Sequence, residues 1–306
     1  MSVLSKLKSV AKSGELHVLD VGARGGCSGA PWTMSKYAHV HGFEPDEKEC
    51  NRLNLFAVTV AKGRYPGGYT CHPVALGDAD KTGTLHCPSE PGGSSLLPLL
   101  DPKDPRICLY PLITSYTEVG RVEVPVRRFD TIAEEYGIPS PVAVKADVQG
   151  GEMAVFEGMG AHLSTVLCVE SEVEFNPMYA GQPLFGDVDR TLRAAGLTLW
   201  RLDHLVHYQM RHRDQLERSV TAAFDNVHTS HPGGCGKLFW ANALFFRDPR
   251  EVREQPNAKV RLLALATLMH AYGELDGAAY AERLADSVLH ARGDCVQAPP
   301  SPDDRP

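Results

Sequence analysis

Residues 17–26, HVLDVGARGG, decide how the rest of the chain is read. A short apolar run between Gly14 and Gly22 carries an acid, Asp20, near its end and passes into a glycine-rich turn. Apolar runs of this length bounded by turn residues suit a strand buried in a parallel sheet. Such a turn could hold a dinucleotide or a different nucleoside cofactor, or be a plain tight turn.

Working outward, the pattern repeats. HVHGFEPD (39–46) is a second strand ending in Glu44. Pro45 and the acids after it suit the first turn of the helical DEKECNRLNLF. YTCHPVALGD (69–78) reads as a third strand, and KTGTLHC (81–87) alternates weakly. VEVPVRRFDTIAEEYGI gives a strand and a helix capped by Asp130 or Thr131. VAVKADVQGGEMAVFEGM gives another such pair, STVLCVESEVEF a strand, and DVDRTLRAAGL a helix ended at Gly196. TLWRLDHLVHY and LFWANALFFRD are two last strands with only a polar segment between them. Strands alternating with helices predict an α/β, doubly wound, mostly parallel sheet, and the last pair predicts an antiparallel edge.

The expected units are an N-terminal helix (1–15), an α/β domain (16–248), a helical hairpin (249–292) and a disordered tail (293–306). Leu4, Leu7 and Val10 give the first helix its apolar face. The hairpin, broken at Gly273, resembles one tetratricopeptide-like unit, which cannot bury its own face. It would therefore pack on the domain, on a second copy in a homodimer, or on a protein partner. Residues 88–106, rich in Pro, Gly, Ser and Asp, predict a lid-like loop.

Bulk composition narrows the function. The 306 residues are 43% hydrophobic with net charge -7, against a nucleic-acid-binding surface as the main role. Eight scattered cysteines with no CxxC pair, no secretory signal and no apolar run of spanning length predict a reduced, cytoplasmic protein without a membrane span.

Ligands of open α/β sheets bind beyond the carboxyl ends of the strands, where Asp20, the 22–26 turn and Glu44 fall. A dinucleotide needs G-x-G-x-x-G to bring a pyrophosphate to a helix N-terminus. Here the spacing is Gly22-Ala23-Arg24-Gly25-Gly26, and Asp20 would oppose phosphate charge. S-adenosylmethionine has no phosphate. Its ammonium suits an acid before the turn, its carboxylate suits turn N–H groups or Arg24, and its ribose hydroxyls suit Glu44. An acid at Glu44 also serves NAD enzymes, so it does not discriminate alone.

Six segments, VLDVGARGG, GFEPDEKECNRL, PVALGDADKTGTL, SSLLP, VRRFDTIAEEYGI and VAVKADVQGGEMAVFEGM, resemble in order the FkbM-type methyltransferases. KADVQGGE is the most specific, being similar to K-I-D-V-E/Q-G-x-E, with Ala146 in place of a branched residue. The resemblance covers about residues 16–248 and implies a Rossmann-like seven-strand core. It further implies S-adenosylmethionine as cofactor and O-methylation of a small-molecule hydroxyl, on a sugar or natural product. It places Asp20, Gly22, Ala23 and Gly26 at the methionine end, with Arg24 beside them where Arg24-Gly25 replaces the usual Asn-x. Glu44, with Pro45 after it, falls on the ribose. Ala75, Leu76 and Asp78 fall near the adenine, and Asp147, with Val148, beside the reacting centre. The resemblance also brings Ser95 toward cofactor or substrate. N-methylation of an amine is the alternative reaction. A degenerate fold acting as a binding module is the alternative class, and a dinucleotide oxidoreductase a more distant one.

Asp147 is the leading candidate for the base or for orienting substrate, Glu170 is the second, and Lys145 is a catalytic candidate beside them. Lys145 and Asp147 share a strand face, so an ion pair is the simpler role for the lysine. Glu152 falls in a first helical turn, where an acid is favoured anyway. Grouped carboxylates can hold Mg²⁺, but nothing in their spacing calls for it. His228, His231 and Cys235 offer zinc-type ligands without an evident fourth.

Overall fold

The computed structural model describes residues 2–27, 33–61, 63–110, 117–208, 222–225 and 236–288. The chain divides into two compact units. One comprises residues 13–247 and the other residues 1–12 with 248–306.

The larger unit is built on strands β1 (Leu16–Val21), β2 (Ala38–Phe43), β3 (Tyr69–His72), β4 (Ala75–Leu76), β5 (Lys81–Pro88) and β6 (Glu118–Arg127). They are followed by β7 (Ala143–Ala146), β8 (Cys168–Glu174), β9 (Leu197–Tyr208), β10 (Ala222–Asp225) and β11 (Lys237–Arg247). The main sheet runs β10-β9-β11-β8-β7-β1-β2-β3. β3, β2, β1, β7 and β8 pair in parallel, and β11 inserts antiparallel between β8 and β9. The expected seven strands are all present, and short β10 extends the edge beyond β9 as an eighth. Strand order reverses at β1, which lies between β2 and β7; this switch point opens a crevice at the strand ends.

The reading of 69–78 as one strand is corrected. Pro73 has no N–H for a ladder, and Val74 N turns back to His72 O at 2.9 Å. Ala75 and Leu76 then join β6 in a separate sheet, β4-β6-β5.

Helices α2 (Glu47–Val58), α3 (Phe129–Tyr136), α4 (Glu152–Gly158) and α5 (Phe185–Ala194) follow α1 (Val3–Val10) in the chain. Asp46 caps α2 by accepting from Lys48 N and Glu49 N, so Pro45 lies just outside the helix. The cap of α3 is Arg128, with Asp130 inside the first turn. Phe129, Ile132, Val155, Phe156 and Leu192 from the last three helices bury themselves against Leu19, Val144, Val169 and Phe245 of the sheet. Each fully buried aromatic or branched side chain of this kind contributes about 1.5–3 kcal/mol.

The smaller unit holds α1, α6 (Pro249–Arg253), α7 (Ala258–Ala271) and α8 (Leu275–Ser287). Gly273, with φ of +80°, separates the hairpin helices as expected. Every residue from Leu262 to Met269 is buried, as in a helix covered on all sides. Part of that cover is α1, which packs on α7. Lys6 reaches Glu282 and Asp286 of α8, each at 2.8 Å. The first helix and the hairpin, read separately from sequence, are thus one unit.

A row of histidines crosses β1, β2 and β3. His17 Nδ1 lies 3.0 Å from His41 Nε2, and His41 Nδ1 lies 3.2 Å from His72 Nε2. The rings of His39 and His41 stack at 4.5 Å. Burial, and then the neighbouring histidines, push His41 down to about 3. The unfolded chain therefore binds more protons than the fold below the ordinary histidine value of about 6.5. Stability from His41 is full above that value and is lost as pH falls, by about 2 kcal/mol at pH 5. Urea midpoints at pH 7.5 and pH 5 should thus fall further for the native protein than for His41→Gln. Equal pH dependence in both would remove the histidine row as the cause.

Candidate active site

The 22–26 turn is tied to its neighbours by backbone. Gly22 N and Ala23 N both donate to Phe43 O, at 3.0 and 3.1 Å. Gly26 N donates to Ala23 O at 2.9 Å, and Gly25 N to Glu49 Oε1 at 3.0 Å. These internal bonds correct the expectation that the turn offers a row of free N–H groups. Gly22 has φ of +79°, and a Cβ there would overlap the carbonyl oxygen of Asp147. The ends of β1 and β7 approach this closely only because residue 22 has no side chain. Beneath the turn, Asp20 is 1% exposed and its Oδ2 has no hydrogen-bond partner. Burial, opposed by Lys145 and reinforced by Asp147 and Glu170, pushes Asp20 up to about 7.

A cavity of about 430 Å³ opens at the strand ends. Gly22, Arg24, Glu44 and Pro45 line it from β1 and β2. Ala75, Leu76 and Asp78 line it from the β4 segment, Ser95 from the 91–97 loop, and Asp147 and Val148 from the end of β7. Asp20, Ala23 and Gly26 do not line it; Ala23 is buried against Cys50, Leu53 and Cys71. The cavity also takes in Phe43, Gly77, Thr84, Leu85, Leu97 and Gln149, which the sequence reading missed.

Glu44 is 4% exposed, and its Oε1 accepts from Asp46 N at 2.9 Å. Burial raises it, against the Asp46 N–H and Arg24. Arg24, a candidate for a cofactor carboxylate, is instead paired with Asp46 at 2.8 Å and lies 3.7 Å from Glu44. Lys81 is paired with Asp78 at 3.2 Å.

At the end of β7, Lys145 Nζ lies 3.2 Å from Asp147 Oδ2, which is the ion pair that alternation suggested. Burial opposes the charge on Lys145, but Asp147, Asp20 and Glu170 outweigh it and hold the ammonium above its ordinary value. In register, Lys145 stands between Asp20 on β1 and Glu170 on β8. Neither Lys145 nor Glu170 lines the cavity, whereas Asp147 does so with 40% of its side chain exposed. Glu152 accepts from Val148 N and Gly150 N at 2.9 and 3.3 Å, so it closes the loop after β7. Glu172 was missed. Burial and then Asp147 push it well above the carboxylate range, and Gln149 Nε2 donates to it at 2.7 Å. The alternation of Glu170, Glu172 and Glu174 along β8 was the sequence feature that could have found it.

Among the described residues no group of three or more His, Cys, Asp and Glu is arranged to hold a metal. His228, His231 and Cys235 lie outside the described residues.

A doubly wound sheet with a cavity over its switch point, and an acid at the end of each of its first two strands, defines a class of nucleoside-binding α/β proteins. The model of the FkbM methyltransferase domain matches residues 20–198, and the chain belongs to that family. Among solved structures, it is similar to an FkbM methyltransferase from Methylobacillus flagellatus KT at 14% identity. That alignment covers 78% of this chain and 44% of the other, with a TM-score of 0.40. It is also similar to magnesium protoporphyrin IX methyltransferase from Synechocystis PCC 6803, solved with bound S-adenosylmethionine, at 12% identity. There the coverage is 80% and 76%, with a TM-score of 0.35. The chain thus spans less than half the length of the Methylobacillus chain. No curated protein matches it. No described helix is long and apolar enough to cross a membrane.

Proposed function

We propose that the cavity holds S-adenosylmethionine and that the chain transfers its methyl group to a hydroxyl of a polar small molecule, a sugar or natural product. The observation that carries this reading is the charge pattern of the cavity. Both basic side chains that line it, Arg24 and Lys81, are already paired with carboxylates, which suits a ligand without phosphate. Glu44 takes the ribose hydroxyls, and Ala75, Leu76 and Phe43 face the adenine.

When bound, the sulfonium supplies an electrophilic methyl group. The protein's residues supply alignment and a place for the acceptor proton. Asp147 receives that proton, because it combines exposure to the cavity with fixed geometry: Lys145 holds Oδ2, and Gln149 Nε2 holds Oδ1 at 3.1 Å. Asn242 pairs in register with Glu172 on one side and Asp203 on the other. This polar row, leading from the β7 end along the sheet, favours a hydroxyl-rich acceptor. The 88–106 and 176–186 segments frame the acceptor side, as loops commonly do.

Titration with S-adenosylhomocysteine tests the cofactor assignment. Glu44→Ala should weaken binding about 10- to 100-fold, the loss of hydrogen bonds to a charged acceptor. Unchanged affinity would remove Glu44 from the ribose. The absence of any binding by the native protein would favour a degenerate binding module.

A further inference from the structure

We propose that Gln149 is a positioning residue, a joint that fastens the 91–97 loop over the cavity and holds Asp147, which lines that cavity, together with Glu172. The proposal rests on the reading of the cavity as the nucleoside site.

Every polar group that Gln149 presents beyond its N–H is engaged. Side-chain Nε2 donates to Asp147 Oδ1 at 3.1 Å and to Glu172 Oε2 at 2.7 Å. Side-chain Oε1 lies 3.1 Å from the Tyr179 hydroxyl, whose single proton it shares with Gly93 O at 2.8 Å. The backbone carbonyl accepts from the Ser95 hydroxyl at 2.7 Å. Ser95 is in turn fixed to His86 by reciprocal backbone bonds of 2.8 and 3.1 Å. The loop is thus tied at Gly93 and at Ser95, and both ties lead to residue 149.

Backbone geometry points the same way. Gln149 has φ of +58°, a conformation that side chains other than glycine rarely adopt. Strain of this kind persists where surrounding contacts over-determine it, and here they converge from the loop, β8 and Tyr179. Gly150, at φ of +94°, continues the turn, and a Cβ there would lie 2.7 Å from Gln182 Nε2. Tyr179 is 2% exposed, so its bond to Gln149 is shielded from water.

An amide fits this position for a chemical reason. A neutral group with two N–H bonds can face two carboxylates at once without adding charge. A glutamate would add a third acid facing Asp147 and Glu172, with Glu152 and Glu174 behind them and only Lys145 as a nearby cation. It could not donate to either carboxylate unless protonated. Pro91, Gly92, Ser94, Leu96 and Leu97 line the cavity, so loosening this loop should speed release of a bound nucleoside.

Hydrogen exchange of residues 91–97 in the ligand-free protein tests the joint, and stopped-flow release of S-adenosylhomocysteine tests its consequence. Protection should drop about tenfold in Ser95→Ala and in Gln149→Ala, the loss of one net hydrogen bond or more, and release should quicken by a similar factor. Gln149→Glu should lose protection at pH 8 and regain it at pH 5.5, where the added acid can donate. A filler role would not produce that reversal. If Gln149→Ala does not fold, Ser95→Ala and Tyr179→Phe carry the same test. Unchanged protection in the folded variants, or a pH-independent Gln149→Glu, overturns the proposal. Should the native protein bind no S-adenosylhomocysteine while protection still responds, the joint stands and the nucleoside assignment falls.

Discussion

Gly22→Ala is expected to destabilise the protein by about 3 kcal/mol and to abolish measurable cofactor affinity. Two terms add. A non-glycine residue in the left-handed region costs about 1–2 kcal/mol, and forcing a methyl into a packed site costs about 1–3 kcal/mol more. The obstacle is the Asp147 backbone carbonyl, which cannot rotate aside as a flexible side chain would. Relief therefore comes only by parting the β1 and β7 ends, between which Asp147 N now bonds to Val21 O at 3.1 Å. That separation widens the switch point, so affinity for S-adenosylhomocysteine should fall with stability. Urea unfolding and calorimetric titration check the two effects. A variant that keeps both would show that the strand ends do not need this contact.

Asp147→Asn is expected to lower turnover by about 10²- to 10⁴-fold, the usual contribution of a general base. Affinity for S-adenosylhomocysteine should change little, since the assigned ribose carboxylate, Glu44, is on another strand. The substitution retains an acceptor for Gln149 but removes the charge facing Lys145. Comparing kcat with cofactor affinity, using an acceptor found by a labelled-methyl screen, separates proton transfer from binding. Turnover near that of the native protein would move the base elsewhere.

The strand ends were legible in the sequence because three rules agreed there. An apolar run, an acid and a glycine or proline mark Asp20–Gly22, Glu44–Pro45 and the Asp147 loop, and the structure puts two of these acids in the cavity wall. Asp20 differs because the alternation that sets its face also buries it, behind the cavity surface. The small sheet was hidden by a single residue. Pro73 interrupts an otherwise continuous strand pattern, and Ala75 and Leu76 beyond it pair with β6, some fifty positions on. The hydrogen bonds of Gln149 and Tyr179 could not be read at all, because they join a turn, a loop and a strand end with no common periodicity. Arg24 shows the opposite limit: its type suggested a carboxylate ligand, while the neighbouring Asp46 had prior claim.

The pairing of α1 with the hairpin has a bearing on how the chain reaches its fold. Lys6 and its partner Asp286 are separated by 280 positions, so α1 waits through synthesis of the whole α/β unit before its docking surface exists. During elongation, the apolar stripe containing Leu7 has no native mate, and such surfaces attract chaperones or aggregate. Closing so long a loop costs little more than closing a shorter one at equilibrium, but it comes late in time. The smaller unit is therefore completed only after the α/β unit has been made.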